Sequence, residues 1–217
     1  MRKLTPDELR DFDPEQLDIR VEFWRPEDNS RVKRYLRFGF YYEAFSIRKN
    51  TVMPTKTGHN IRVRFSPPTS GSWICKAKVL VVGDTLSSEE FNFSVKQEQN
   101  NTGFMEVSSN QQYFKVGDSA FFPVGQNIPW PGDIWYNDPN PLKHYEYEKY
   151  QRLITTFSQH GGNYYRMLIT PWTYDIEFEN LGNYSSRMKN AWELDNLIKH
   201  SEGLGLKIHF NMLLHGV

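Results

Sequence analysis

The chain has one cysteine, Cys75, among its 217 residues, so no disulfide can form within it. It has no apolar run approaching the ~18 residues of a membrane-spanning helix. It has no excess of charge of either sign, with 26 Lys and Arg against 26 Asp and Glu. That balance gives no electrostatic reason to expect a nucleic acid or an anionic membrane as partner. The sequence contains no P-loop, no Gly-rich dinucleotide fingerprint and no G-x-S-x-G elbow. No Cys/His spacing suits structural zinc, and His209 and His215 are too isolated to be read as a metal pair. No cofactor and no metal is therefore expected. The opening MRKLTPDELRDFDPEQ has early positive charge but no apolar h-region, so no signal peptide is read in it.

What the sequence does have is aromatic residues, 15% of the chain. A surplus of Phe, Tyr and Trp suits a β-rich core, a sugar-stacking surface, or both, and core packing accounts for most of it. After an extension over 1–17, residues 18–98 read as all-β. LDIRVEFW, VKRYLRFGFYY, HNIRVRFSP, SWICKAKVLVV and EEFNFSV alternate apolar and polar positions. RPEDNS, PTKTG, PPTSG and GDTLSSE read as the turns between them. Roughly six or seven short strands of this kind suit an antiparallel sandwich of immunoglobulin type. Trp73 is expected in its core, with Cys75 two residues on along the same strand.

KQEQNNTG reads as a link, and the pattern changes after it. YFKV and SAFF flank Gly117-Asp118, a hairpin signal with glycine first, as a type II′ turn requires. FFPVGQNI is a candidate strand. Tyr147, Tyr150, Ile154 and Phe157 then mark one face of a helix that Gly161 ends. NYYRMLIT is a second strand. Asn190 reads as an N-cap with Glu193 three residues on, a capping-box variant. Trp192, Leu194, Leu197 and Ile198 give that helix its apolar side, and Gly205 ends it. KIHFNMLLH is a third strand. The order β-α-β-α-β, with strands apolar on both faces, marks a parallel sheet covered by helices. The fold class expected is multi-domain α+β.

Within GGNYYRMLITPW one charge stands in an apolar run, Arg166, and a buried charge needs a partner. RVRFSPPTSGSWICKAKV resembles the strand pair of Ig-like domains that precede bacterial glycoside hydrolases. GFMEVSSNQQYFKVGDSAFFPVGQNIPW resembles the hairpin and first barrel strand that follow such domains. GGNYYRMLITPW and NAWELDNLIKHSEGLGLKIHFNMLLHG resemble strands two and three of a clan A, cellulase-like (β/α)₈ glycoside hydrolase. The resemblance covers roughly residues 20–217, and the order of the motifs carries it.

The resemblance implies that residues 103–217 hold a hairpin and the first three strands and two helices of an incomplete barrel. It implies that Arg166 ends strand two in the barrel mouth and touches the nucleophilic carboxylate, and that His215 lines the same pocket. It implies substrate contacts for Asn127, Trp130 and Trp172, a carbohydrate substrate, and a secreted or periplasmic parent. The bland alternatives are a strand-edge Arg166 with a packed stem, an exposed His215, and tryptophans that pack the loops onto their own barrel. Tyr174, Phe178, Tyr184 and Trp135 belong to the same aromatic loops.

Retaining glycosidases use two carboxylates ~5–5.5 Å apart. Glu106, Glu177 and Glu193 match neither position, and residues 103–217 fall short of the ~250 residues of a typical barrel. The expectation is an N-terminal portion of a hydrolase, inactive alone, that self-associates through the open edge of its third strand. The rival from another class is a non-catalytic Ig-like module that binds glycan or protein.

Overall fold

The computed structural model describes residues 17–26, 33–49, 51–55, 60–81, 84–96, 103–130, 145–170, 173–176 and 184–211. Most of the regular structure among the described residues is antiparallel β-sheet, with two α-helices, a β-rich α+β fold. No helix among the described residues is long and apolar enough to cross a membrane. The chain divides into two compact units, Met1–Tyr42 with Thr57–Asn101, and Glu43–Lys56 with Thr102–Val217.

In the first unit, β1 (Leu17–Trp24), β2 (Tyr35–Tyr41), β5 (Ile61–Val63), β6 (Gly71–Val81), β7 (Asp84–Ser87) and β8 (Phe91–Val95) form one antiparallel sheet. Its order is β5-β2-β1-β6-β7, with β8 also on β6. β1 shows why: Leu17, Ile19, Val21 and Phe23 are buried, and the residues between them through Glu22 are not. Period-two alternation turns that row to one side of the sheet. There Phe23 stacks on Phe65 at 4.2 Å between ring centroids, and Phe65 meets Trp73 edge-on at 5.2 Å. Trp73 is 1% exposed and donates from Nε1 to the Thr69 carbonyl at 3.0 Å, so its polar end is satisfied inside the core. Cys75 packs half-buried against the same cluster, and burial pushes its thiol pKa up. The stretch read as a turn, GDTLSSE, instead supplies β7, paired with the far half of β6.

The second unit contains a hairpin the sequence reading did not separate from the sandwich. β3 (Ala44–Arg48) and β4 (Thr51–Thr55) pair with each other and, among the described residues, join no other strand. Further on, β9 (Met105–Val107), β10 (Phe114–Val116) and β11 (Ser119–Phe121) form a meander. Gly117 turns the β10–β11 hairpin with φ +59°, as the first position of a type II′ turn needs.

The rest of the unit alternates strand and helix. β12 (Gly125–Asn127), α1 (Tyr145–Gln159), β13 (Tyr164–Leu168), α2 (Met188–Gly203) and β14 (Lys207–Asn211) follow in order, and the three strands are parallel. Both helices end in a left-handed glycine with paired i−5 and i−3 bonds. Gly162 N–H reaches Phe157 O and Gly161 N–H reaches Ser158 O; Leu206 N–H reaches Ser201 O and Gly205 N–H reaches Glu202 O. This is the Schellman arrangement, for which glycine has no Cβ penalty. Tyr150 and Ile154 of α1, Leu194 and Leu197 of α2, and Tyr165 and Met167 of β13 form the core. Phe45 of β3 packs on Trp192 of α2, ring centroids 6.0 Å apart, which brings the early hairpin into this unit.

Candidate functional site

Asn163 fixes the lower end of the parallel sheet. Its amide accepts from Val124 N–H at 2.8 Å and donates to Phe122 O at 2.9 Å, while its own carbonyl accepts from Lys207 N–H at 2.9 Å. Gly125 is required there, because a Cβ would lie 2.5 Å from the Tyr164 ring. At the upper end, the Tyr150 hydroxyl of α1 is within bonding distance of the Ile128 and Pro129 carbonyls, at 3.0 and 2.9 Å.

Between these ties the register is set residue by residue. Asn127 lies opposite Arg166, and Arg166 opposite His209. Tyr165 and Met167 are buried toward the helices, so their neighbours Tyr164 and Arg166 face the other way. Asn127, Arg166 and His209 thus form one row across the three strands on the face away from the helices. Asn127 and His209 are exposed and Arg166 is half-buried. The Tyr164 hydroxyl lies 2.7 Å from Nδ1 of His209 and orients that imidazole. Lys207, lower on the same face, donates to Gly103 O at 2.7 Å; burial lowers its pKa, and the charge of Glu202 opposes that shift.

Among the described residues no carboxylate pairs with Arg166, and the described part of this face carries no acid. It offers hydrogen-bond donors, a guanidinium and an imidazole. That set can bind and polarise an anion or a hydroxyl, but by itself it supplies no acid–base carboxylate pair. No group of three His, Cys, Asp or Glu among the described residues could hold a metal.

Of the remaining candidates, Trp130 is half-buried just past β12. His215 and Trp172 lie outside the described residues, as do Trp135 and Phe178. Tyr174 is no sugar platform: it is buried and stacks on Tyr150 at 5.7 Å. Its φ of +52° is uncommon for a residue with a Cβ and marks a tightly held turn. Just before it, Thr170 and Thr173 exchange backbone hydrogen bonds, both 3.0 Å.

The start of α2 corrects the capping reading. The helix begins at Met188, and its N-cap position, Arg187, makes no side-chain cap. Asn190 is inside the first turn and donates to Oδ1 of Asp175 at 2.8 Å and to its carbonyl at 2.9 Å. Arg187 lies 3.3 Å from the other oxygen of that carboxylate. Glu193 is not a capping residue but a carboxylate with 1% of its side chain exposed, 3.3 Å from Lys189. Its charge and burial both raise the pKa of Tyr147, burial contributing more. Helical spacing could have revealed this, since Glu193 precedes Leu197 and Ser201 by four and eight positions, and both are fully buried. Comparison of the chain with protein families, with curated proteins and with solved structures finds no match.

Proposed function

We propose that the chain is the N-terminal part of a clan A, cellulase-like glycoside hydrolase that cleaves O-glycosidic bonds of a poly- or oligosaccharide with retention of configuration. In this reading the first unit is an immunoglobulin-like sandwich. β12, β13 and β14 are the first three strands of a (β/α)₈ barrel, and their open face is turned to its interior. The observation that carries the reading is the row Asn127–Arg166–His209 opposite the helix-covered face.

A barrel gathers its catalytic groups at the C-terminal ends of its strands. A nucleophilic carboxylate must stay ionised, and a guanidinium beside it lowers its pKa. Arg166, half-buried and with no acid beside it among the described residues, is assigned that role. Asn127, Trp130, Trp172 and His215 are assigned to substrate. The acid and the nucleophile are assigned to strands after β14, so residues 1–217 alone are expected to be inactive. The outer edge of β14, which among the described residues pairs only with β13, is assigned to strand addition or self-association.

The test is the product of the whole gene, assayed on aryl glycosides and plant and microbial polysaccharides, with the anomer released followed by proton NMR. Release of the retained anomer supports the reading. An inverted product rejects the retaining mechanism, and no hydrolysis of any substrate rejects the proposal.

A further inference from the structure

The first unit's sheet buries one face, and the opposite face has a composition of its own. Register places Arg20 beside Phe38 and Lys78, Glu22 beside Leu36 and Lys76, and Phe40 beside Arg62 on that outer face. Four guanidinium groups lie over aromatic rings there: Arg34 over Trp24 at 4.6 Å, Arg64 over Phe40 at 4.7 Å, Arg62 over Tyr42 at 5.4 Å and Arg20 over Phe38 at 5.8 Å. Such pairs occur about once per 70–80 residues in ordinary structures, so four on one face is a concentration.

Among the described residues, the acids that register places there are Asp18 and Glu22, and both are already engaged. Asp18 accepts from Arg20 at 2.6 Å, and Glu22 accepts from Arg34 at 2.5 Å and from Lys78 at 3.4 Å. Arg62, Arg64 and Lys76 add further positive charge. The neutrality of the chain as a whole conceals this local excess. Between the cations, Phe38 is 60% exposed and Leu36 41%.

We propose that this face docks an acidic polysaccharide, a chain of uronate residues. Arg62, Arg64 and Lys76 meet its carboxylates, and Phe38 and Leu36 lie under the C–H faces of its rings. The choice of a saccharide rests on the glycosidase reading of the second unit; the choice of an acidic one rests on the charge of this face. A guanidinium presents N–H donors in a planar fork that matches a carboxylate, which suits uronate groups. Nucleobase binding stacks successive bases on a series of open aromatic faces, and here Trp24, Phe40 and Tyr42 are covered by arginine, which leaves Phe38 as the one exposed ring of the four.

The experiment is calorimetric titration of the 217-residue chain with polygalacturonate, with dextran and oligo(dT) as comparison polymers. Binding of polygalacturonate is expected to weaken about tenfold or more between about 50 and 300 mM NaCl, because counterions are released. The charge reversals R62E with R64E should weaken it by about tenfold or more. F38S should weaken it less, and thermal melting of each variant verifies that it is folded. Should the double variant melt early, K76E alone provides the same test. Absence of binding, equal binding of dextran, or displacement of polygalacturonate by oligo(dT) overturns the proposal. The titration reads no hydrolysis. A gene product that cleaves neutral glycans while this face binds no uronate sinks only this inference; uronate binding without any hydrolysis sinks only the glycosidase reading.

Discussion

In the first unit Glu22 lies between Arg34 and Lys78 at the sheet surface; in the second, Glu193 lies against Lys189 with 1% of its side chain exposed. The same chemistry has different consequences in the two places. A solvent-exposed ion pair contributes about 0–1 kcal/mol, because water and salt screen it and two long side chains must be ordered. A buried pair adds little net stability over an apolar one, but breaking it leaves a charge out of water, at a cost of about 3–5 kcal/mol. The first unit therefore depends on its aromatic core and leaves its charges available to the solvent. The second depends on buried polar ties around α2 as well as on its core, and keeps its donor row on the open sheet face.

The largest effects test what holds each unit. Trp73→Ala should destabilise the first unit by about 3–5 kcal/mol, through lost burial and the cavity it leaves. Lys189→Met should also destabilise the second unit, by about 1–3 kcal/mol, by removing the cation 3.3 Å from the buried Glu193 carboxylate. Denaturant melts of both variants check this. If Lys189→Met is neutral while Trp73→Ala is severe, the contrast between the units is wrong.

Next is a pH effect confined to the second unit. Burial pushes the Tyr165 hydroxyl up to about 12, against a smaller opposing effect of its hydrogen bond with Ser201. Its folded pKa lies above the unfolded value near 10, so the native state holds the proton longer. The contribution of Tyr165 to stability is fully present below pH 10 and is lost as pH rises from 10 to 12, by up to about 2–3 kcal/mol. Tyr165→Phe should remove that part of the slope and leave the part that the raised pKa of Tyr147 contributes, as read from urea melts across this range.

Glu22 gives a smaller effect of opposite sense. Hydrogen bonding to Arg34 lowers its pKa most, Lys78 adds to this, and burial opposes it. A depressed folded pKa means stability that is present above the unfolded value near 4.5 and lost as pH falls through the folded one. Glu22→Gln should cost less than about 1 kcal/mol at neutral pH and flatten the acid side of the profile.

The contrast also explains what could be read in advance. β1 alternates plainly, and its alternation is the burial pattern observed. Tyr147, Tyr150, Ile154 and Phe157 mark the packed stripe of α1, and Gly161 and Gly205 end their helices. These signals are local, within one or two turns of chain. The donor row is not local, since Asn127, Arg166 and His209 meet only through parallel register. Arg166 was conspicuous as a charge in an apolar run; its row partner His209 was recognisable only through strand parity. The hairpin of β3 and β4 was read with the sandwich because chain order placed it there, whereas packing of Phe45 on Trp192 assigns it to the second unit. An excised segment 18–98 would therefore carry a hairpin without its packing partner. An acid three residues after an Asn fits a cap, which competes with the four- and eight-residue spacing of Glu193 to Leu197 and Ser201; the observed helix start, two residues before Asn190, decides for the buried stripe.

The most direct test concerns Arg166, where the smallest stability change should accompany the largest loss of activity. Arg166→Ala should leave the melting of the 217-residue chain within about 0.5 kcal/mol, since no described acid depends on it. In the product of the whole gene the same change should lower kcat about 100-fold or more, by removing a charge that acts on the nucleophile. A severe loss of stability in the 217-residue chain, or full turnover in the whole product, would contradict the account.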